Sequence, residues 1–334
     1  MDMRHSLPVL TAFLVAGLWG CEALPRAADF QSSGAAAAKT VDIRIESDHA
    51  QIHLNGRPFT TFHFHTKWDK PFLHPIRTAG GTILSRGYPV APLPGETEDH
   101  NWHRGIWFGH GDINGQDFWR ELGRDKTARL ILHGAPEATY SAKDGSGTLT
   151  DLLHMQSAQS KILGSIRESF TFRPSPDGVL IDVRIEVAAD RENALRFGDT
   201  DDGGFGIRLR DEFREDRGAH LANSNGLTGT GNIWGKPARW VHYAAQVEGK
   251  MAGVAVFDHP SNLRHPTTWH ARGYGLFAAN PFGLASFTRD KSKDGSHTIA
   301  AGSKQTFQYR VLIIEGQASA DKLDSLFADY AAGK

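Results

Sequence analysis

The chain has 334 residues, with 37 Lys and Arg against 38 Asp and Glu. A balance this close to zero gives no general attraction to nucleic acid or to anionic lipid, so polyanion binding is a poor first hypothesis. Hydrophobic residues make up 40% and aromatic residues 10%, which is enough apolar material for one large core.

The first residues have the pattern of an export signal. Arg4 and His5 precede an apolar run over residues 7–20, which is shorter than the roughly 20 residues that a membrane span needs. The only cysteine, Cys21, ends this run in a context that resembles the lipobox of bacterial lipoproteins, and a cut after Ala23 is the competing interpretation. Both place the mature protein in the periplasm or at the cell surface, with membrane attachment only through a lipid on Cys21. If Cys21 is lipidated or removed, the fold has neither a disulfide nor a cysteine nucleophile.

The sequence divides into three parts. Residues 1–23 are the export or lipoprotein signal, and residues 24–40, rich in Ala, Ser and Gly, form a flexible tether. Residues 41–334 form a single domain, which falls within the size that all-β sandwiches reach.

Alternation of apolar and polar residues with a period of two predicts strands along this domain. The first elements are hairpins, because residues 41–45 and 51–64 alternate and the second run is hinged at Asn55-Gly56. Between residues 179 and 187, apolar positions alternate with charged ones that should face water. The same alternation recurs over residues 205–209, 254–257 and 307–313.

Helical periodicity is clear only near the C-terminus. Leu323, Leu326, Phe327 and Tyr330 lie at helical spacing behind Ser319, a possible N-cap, so we expect the one substantial helix within residues 318–332. The sequence therefore predicts an all-β fold, a large antiparallel β-sandwich of two packed sheets with one C-terminal helix.

Strand patterning breaks over residues 72–119, a Pro- and Gly-rich segment with the densest cluster of polar and aromatic residues in the chain. A loop this long is usually either functional or mobile, and its tryptophans Trp102, Trp107 and Trp119 argue against simple mobility. Residues 201–208 and 258–272 have a similar composition. Histidine, carboxylate, arginine and tryptophan together suit a sugar, because aromatic rings cover its C–H face while polar groups bind its hydroxyls and move protons.

Several motifs resemble the DUF6807 family in the same order. They are HNWHRGIWF at residues 100–108, GDINGQDFW at 111–119, GGFGIR at 203–208, FDHP at 257–260 with Asn262 and His265-Pro266-Thr267, and YGLFAANPFG at 274–283. The resemblance covers most of residues 41–330. It implies a family of unknown function with a galactose-mutarotase-like supersandwich fold, and it brings no assigned catalytic residues. Where related sequences resemble His-Pro-His-His-Arg-Gly, this chain has Asn101 and Trp102 at the middle positions.

The family is often labelled "methane oxygenase PmoA". A membrane copper oxygenase subunit needs transmembrane helices, and the sequence has no spanning segment after the export signal. We therefore reject that label for this chain.

The candidate catalytic residues are His103 and His110 as acid–base groups, with Asp112 or Asp258 as the partner carboxylate. In the competing interpretation, Asp112 accepts backbone N–H bonds in a turn. The candidate substrate-binding residues are Arg77, His100, Arg104, Trp107, Trp119, Arg208, His265 and His270. If a strand begins at Trp269, we expect His270 on the face opposite Trp269 and Arg272.

No cofactor is predicted, although His100, His103 and His110 with Asp112 are the residue types that ligate a divalent metal. The spacing does not match a helical His-Glu-x-x-His site. The chain also lacks a Gly-x-Ser-x-Gly elbow and a phosphate loop.

The leading hypothesis is an exported carbohydrate-active enzyme that hydrolyses or eliminates at a glycosidic bond or epimerises a sugar. The rival is a noncatalytic glycan-binding surface lipoprotein, and a weaker alternative is a metal-dependent oxidoreductase. We expect a carbohydrate partner, no nucleic acid, and a site where residues 72–119 meet residues 201–208 and 258–272 on one open face.

Overall fold

A computed structural model describes residues 40–123 and 126–333 of the chain. The predicted signal, Cys21 and nearly all of the predicted tether lie outside these residues. Within the described part, no helix is both long and apolar enough to cross a bilayer.

The first sheet, sheet A, has eight antiparallel strands. In order across the sheet they are β1 Val41–Ile45, β2 His49–Leu54, β3 Arg57–His63, β4 Phe72–Leu73, β5 Ile106–His110, β12 Gly203–Arg208, β17 Leu276–Ala279 and β16 Trp269–Arg272.

The second sheet, sheet B, has nine strands, and it is also antiparallel. In order across the sheet they are β13 His220–Asn223, β14 Trp240–Val247, β15 Lys250–Asp258, β19 Lys304–Glu315, β10 Gly178–Ala189, β9 Ile162–Ser175, β8 Gly147–Gln156 and β6 Arg129–Leu132, with β7 Glu137–Tyr140 also pairing with β8.

The remaining elements of the described residues are short, apart from the C-terminal helix. They are the two-stranded pair β11 Leu195–Phe197 and β18 His297–Ile299, the helices α1 Thr230–Ile233, α2 Leu284–Thr288 and α3 Ala320–Ala331, and the 3-10 turns Asp211–Phe213 and Glu215–Arg217.

The core lies between the two sheets, where aromatic side chains of sheet A pack on those of sheet B. Phe62 lies 5.6 Å from Phe170 between ring centroids, and Phe205 stacks on Tyr309 at 4.8 Å. Both contacts join one sheet to the other, as in a β-sandwich. The predicted all-β sandwich is confirmed.

The predicted first hairpin and the predicted C-terminal helix are also present. The β2–β3 hairpin turns at Asn55-Gly56, where both residues have positive φ (50° and 75°), the conformation that Asn-Gly favours. Helix α3 falls within the predicted range, and Ser319 caps it by accepting a hydrogen bond from Lys322 N. Its buried residues pack against sheet B.

Alternation along β5 and β12 sends successive side chains to opposite faces of sheet A. Phe108 and Phe205 face the core, whereas Trp107, Gly206 and Arg208 face away from sheet B. The outer face of sheet A is the surface on which the polar-aromatic segment folds.

Candidate functional site

Four rings form a continuous stack on the outer face of sheet A. From the sheet outwards they are Trp107, His103, His100 and Tyr274, with centroid separations of 5.2, 4.9 and 5.5 Å. Trp102 meets His100 and His103 edge-on. We call this set of five residues the ring stack.

A tight turn at residues 100–103 places both histidines in the stack. His103 N donates to His100 O at 2.9 Å, and His100 has a positive φ of 40°. The buried Arg86 holds this turn, because its Nη2 donates to the carbonyl oxygens of His100 (2.8 Å) and His103 (3.2 Å). The two imidazoles are therefore positioned by backbone contacts as well as by stacking.

Asp99 connects the ring stack to two buried arginines. Arg208 Nη2 donates to its Oδ1 at 2.8 Å, Arg86 Nη1 donates to the same oxygen, and its Oδ2 lies 3.1 Å from His100 Nδ1. Burial by itself would raise the pKa of Asp99, but the contact with His100 and the charges of Arg208 and Arg86 outweigh it and lower that pKa. Asp99 is therefore a fixed anion beside His100.

His100 and His103 differ sharply in accessibility. The side chain of His100 is 39% exposed, although His103 and Tyr274 cover its two faces and its Nδ1 is buried next to Asp99. Its accessible part is consequently the ring edge opposite Nδ1. The Nδ1 contact with Asp99 is close but is not aligned as a hydrogen bond, which is common in a site without substrate.

His103 is 2% exposed and lies one layer deeper. Burial lowers the pKa of His103 well below its ordinary value, and the charge of Arg208 is the second largest cause. The ring is therefore neutral near pH 7. Neither of its nitrogens has a hydrogen-bond partner among the described residues.

A second group of charges flanks the stack. Arg104 binds Glu121 through both Nη atoms, and its guanidinium lies 4.3 Å from the Trp68 ring centroid. Lys70 Nζ donates to Trp119 O at 2.7 Å and lies 3.6 Å from Glu121. Burial lowers the pKa of Lys70 to about 8 despite the neighbouring carboxylate.

Buried donors without partners are concentrated around the ring stack. Those near the stack are Nε1 of Trp68, Trp102, Trp107 and Trp119, Nε of Arg86 and Arg104, and Nε and Nη1 of Arg208, while Trp234 Nε1 and Asn223 Nδ2 are examples elsewhere in the described residues. Buried polar groups in proteins are nearly always paired with protein or with ordered water. Because these donors lie below the surface, ordered water is the partner expected for them.

His270 lies on the same face of sheet A but does not touch the ring stack. Trp107, Gly206, Ala278 and His270 form one row across four strands, so about 14 Å separates the end positions. His270 Nδ1 donates to Asp201 O at 2.6 Å, which leaves Nε2 to accept from Arg272 Nε at 2.8 Å. The expectation that Arg272 lies on the face opposite His270 is wrong, because residues two apart on a strand share a face.

His110 does not meet His103, because it lies on the core face of β5. Its ring packs between Phe197 and Phe282, and its Nε2 donates to Gly198 O at 2.8 Å. Burial lowers its pKa to about 4, so it is a neutral core residue at pH 7. The structure provides no route by which it could act with His103.

Asp112 and Asp258, the carboxylates predicted as partners of the catalytic histidines, form hydrogen bonds with groups outside the ring stack. Asp112 Oδ1 accepts a hydrogen bond from Gly115 N at 2.8 Å, as expected if Asp112 stabilises a turn. Asp258, fully buried at the end of β15 in sheet B, accepts from His265 Nδ1 (2.7 Å), Thr267 N (2.9 Å) and Asn262 Nδ2 (2.8 Å). Asp258 and His265 thus pair with each other and not with the ring stack.

The predicted meeting of three segments is therefore only partly realised. Residues 72–119 and 201–208 meet through the pairing of β5 with β12, which brings His100, His103, Trp107, Trp119 and Arg208 together. Arg104 is part of the flanking group, and Arg77 lines a neighbouring cavity. From residues 258–272, His270 and Arg272 reach this face, away from the ring stack, and His265 does not.

The described residues contain no group of three or more His, Cys, Asp or Glu side chains placed to hold a metal ion. His110 and Asp112 are not grouped with the two stacked histidines, so the metal interpretation lacks a ligand set in this part of the chain.

Comparison with known proteins gives the family. The sequence model of DUF6807, a family of unknown function, matches residues 49–328. The chain belongs to the DUF6807 family. Among curated proteins, none matches this DUF6807 chain in sequence.

Solved structures resemble it only distantly. One is a candidate aldose 1-epimerase from Klebsiella pneumoniae, with a TM-score of 0.43 and 11% sequence identity. The match covers 85% of this chain and 83% of the epimerase chain. Two galactose mutarotase-like proteins also match, each with 10% sequence identity and with 99% of its own chain covered. The protein from Clostridium acetobutylicum has a TM-score of 0.42 and covers 83% of this chain, and the protein from Lactobacillus casei has a TM-score of 0.36 and covers 82%. At TM-scores below 0.5, these likenesses carry no information about substrate or reaction.

The residues of this DUF6807 site that the candidate list did not include are Asp99, Arg86, Trp102, Tyr274, Lys70 and Glu121. The adjacency of Asp99 and His100 was a usable signal, because neighbouring carboxylate and imidazole groups can pair. Arg86 and Tyr274 carried no such signal, since their contacts with residues 99–103 arise only from the fold.

Proposed function

We propose that this DUF6807 protein is an exported carbohydrate-active enzyme in which His100 is the general acid–base residue and Asp99 orients it. The observation that carries the proposal is the exposed edge of an otherwise enclosed His100, next to a carboxylate fixed by Arg86 and Arg208. Export rests on the first 23 residues, and an intact-mass measurement of the native protein checks it.

The chemistry follows from the environment of the ring. Asp99 favours a proton on Nδ1 of His100, which leaves the lone pair of Nε2 at the accessible edge as a base. Stacking between His103 and Tyr274 restrains rotation of the ring. A histidine held in this way can accept a proton from a bound sugar and return it.

A sugar can bind at the same edge. Trp102 and Tyr274 are half-buried aromatic residues beside His100, and rings of this kind cover the C–H face of a pyranose.

This arrangement favours proton transfer at carbon, as in epimerisation or elimination, over hydrolysis. Glycoside hydrolysis usually needs one carboxylic acid and one free carboxylate. Asp99 is an unsuitable nucleophile because it is ion-paired to two arginines, whereas removal of a proton from a carbon next to a carbonyl or carboxylate group of the sugar, which takes up the electron pair, needs one accessible base such as His100.

The test is a screen of the purified domain against free aldoses, glycosides, keto-glycosides and uronate-containing oligosaccharides. We expect turnover of one class and a loss of at least about 100-fold in kcat for His100→Gln, since general acid–base catalysis contributes on this scale. His53→Gln, a change of the same kind on β2, is the matched control and should keep full activity. Turnover that survives His100→Gln unchanged, or no turnover in any class, would count against the proposal.

A noncatalytic glycan-binding lipoprotein is the second candidate, because the half-exposed Trp102 and Tyr274 are suited to sugar stacking without catalysis. Glycan binding that survives His100→Gln but is lost in Trp102→Ala, with no turnover by the unmodified protein, would favour it.

A further inference from the structure

A cavity of about 280 Å³ opens on the same outer face of sheet A, next to the ring stack. Residues of β3, of the segment that follows β4 and of residues 83–93 line it. Ser85 and Gly87 face the cavity, while Arg86 between them holds Asp99 and the turn at residues 100–103. The cavity and the candidate site thus share one segment of chain.

Arg77 is the charged group of this cavity, and it lacks an anionic partner. Its Nη1 donates to Phe59 O at 3.2 Å, which is a neutral acceptor. Burial lowers the pKa of Arg77, and no carboxylate among the described residues opposes that effect. Arg86, Arg104 and Arg208 are each paired with a carboxylate.

The two histidines in the cavity wall add no charge. His63 Nε2 donates to His74 O at 2.9 Å, so in the neutral ring Nδ1 is an acceptor. Ser85 Oγ lies 3.2 Å from His74 Nδ1. Burial lowers the pKa of His63 and brings that of His74 to about 3, so both rings are neutral at pH 7. Among the lining residues only Arg77 is charged, while Glu96, outside the lining, accepts hydrogen bonds from Gly87 N and Leu93 N of the wall segment.

The rest of the wall is mainly apolar. Ile83 and Val90 line it, and Leu93 at its mouth is 41% exposed, one of the few large apolar side chains at the surface of the described residues. A half-buried guanidinium without a carboxylate partner keeps its charge available to an anion that enters the cavity. An apolar wall also suits the C–H face of a sugar ring.

We propose that this cavity is a second subsite, which binds a sugar unit carrying an oxyanion group, with the carboxylate or sulfate ester held by Arg77 and the ring against Val90 and Leu93. The inference deepens the proposed function, on which it rests, by assigning an acidic glycan as substrate. His63 Nδ1 would accept a hydrogen bond from a hydroxyl of the same unit, which gives the subsite selectivity for a sugar over a simple anion.

Binding of glucuronate, glucose 6-sulfate and glucose by calorimetry tests the subsite. We expect one or both acids to bind at least about tenfold more tightly than glucose, which is about 1.4 kcal/mol, and salt to weaken the difference. Arg77→Gln should reduce acid binding to the level of glucose, and Arg77→Lys should keep part of it. The acid that binds more tightly identifies carboxylate or sulfate as the group recognised.

Arg57→Gln is the matched control, because Arg57 is an exposed arginine on β3, a strand that contributes to the cavity wall, and itself lies outside the cavity. Equal binding of the three sugars, or acid binding that Arg77→Gln leaves intact in a folded protein, would overturn the inference. Turnover of neutral glycans unaffected by Arg77→Gln would overturn it while sparing the proposed function. Acid binding that depends on Arg77, without turnover of any sugar, would instead contradict the proposed function alone.

Discussion

Asp99 is the residue on which the candidate site depends most. It contacts two guanidinium groups that are fully buried and the one histidine of the ring stack that reaches the surface. Those three contacts use both carboxylate oxygens, so each neighbour is held relative to the others. Loss of the charge should therefore affect stability and catalysis together.

We predict that Asp99→Asn destabilises the protein by about 3 kcal/mol and lowers turnover. The amide keeps the shape but removes the one carboxylate that is ion-paired with Arg86 and Arg208, leaving them only the charges of more distant carboxylates such as Asp211, and breaking such a pair is costly. Urea unfolding and steady-state kinetics measure the two effects. Asp48→Asn is the control, because Asp48 also pairs with the histidine that follows it, but at the surface and without arginine partners. Unchanged unfolding of Asp99→Asn would show that the ion pairs are not important for stability.

At this scale, the sequence predicted the residue types of the site better than their roles. His103 was the expected acid–base group, but its ring lies beneath His100, and composition alone carries no information on which of two histidines in one turn is exposed. His110 was misplaced because β5 is only five residues long and buried on both faces, so its apolar pattern does not reveal which face a residue takes.

Among the secondary-structure elements, alternation and turn residues predicted β10, parts of β15 and β19, β12 and the hairpins at the start of sheet A. They did not reveal the long strands β8 and β14 or the short strands β4 and β17, and they raised β16 only as a condition. The pairing of β5 with β12 joins residues about 100 positions apart, and local pattern cannot specify such a contact. That pairing is what assembles the site.

Glycine at position 206 allows the two indoles to lie on the sheet. A Cβ there would come within 2.8 Å of Trp107 Cζ2 and 3.1 Å of Trp119 Cη2. We predict that Gly206→Ala displaces these rings and destabilises the protein by about 1–3 kcal/mol, the usual cost of overpacking. Near-UV circular dichroism and thermal unfolding measure the change. Gly231→Ala, where the added carbon meets no atom within 4 Å, is the control; equal effects of the two substitutions would refute the packing role of Gly206.

At the scale of the whole molecule, buried titratable groups make stability depend on pH in two opposite ways. Burial lowers the pKa of four histidines, His74, His103, His110 and His242. Below about pH 6.5 the unfolded chain therefore binds more protons than the folded protein, and the free energy of unfolding falls as the pH falls. The carboxyl groups of Asp151 and Glu168 act in the other direction, because burial between the sheets raises both pKa values. Burial of this pair was not predicted from the sequence.

Asp151 and Glu168 are directly opposite each other on β8 and β9, and burial raises the pKa of Asp151 to about 8. The fold therefore keeps a proton that the unfolded chain releases near pH 4, and stability from this source is lost as the pH rises to about 8. We predict that Asp151→Asn becomes progressively more stable than the unmodified protein over that range, by up to about 1.4 kcal/mol per pH unit, with little difference at pH 4. Urea unfolding at pH 5, 6.5 and 8.5 measures the trend, and Glu46→Gln, at an exposed position, should give a curve parallel to that of the unmodified protein. A parallel curve for Asp151→Asn would mean that its carboxyl group titrates alike in the folded and unfolded chains.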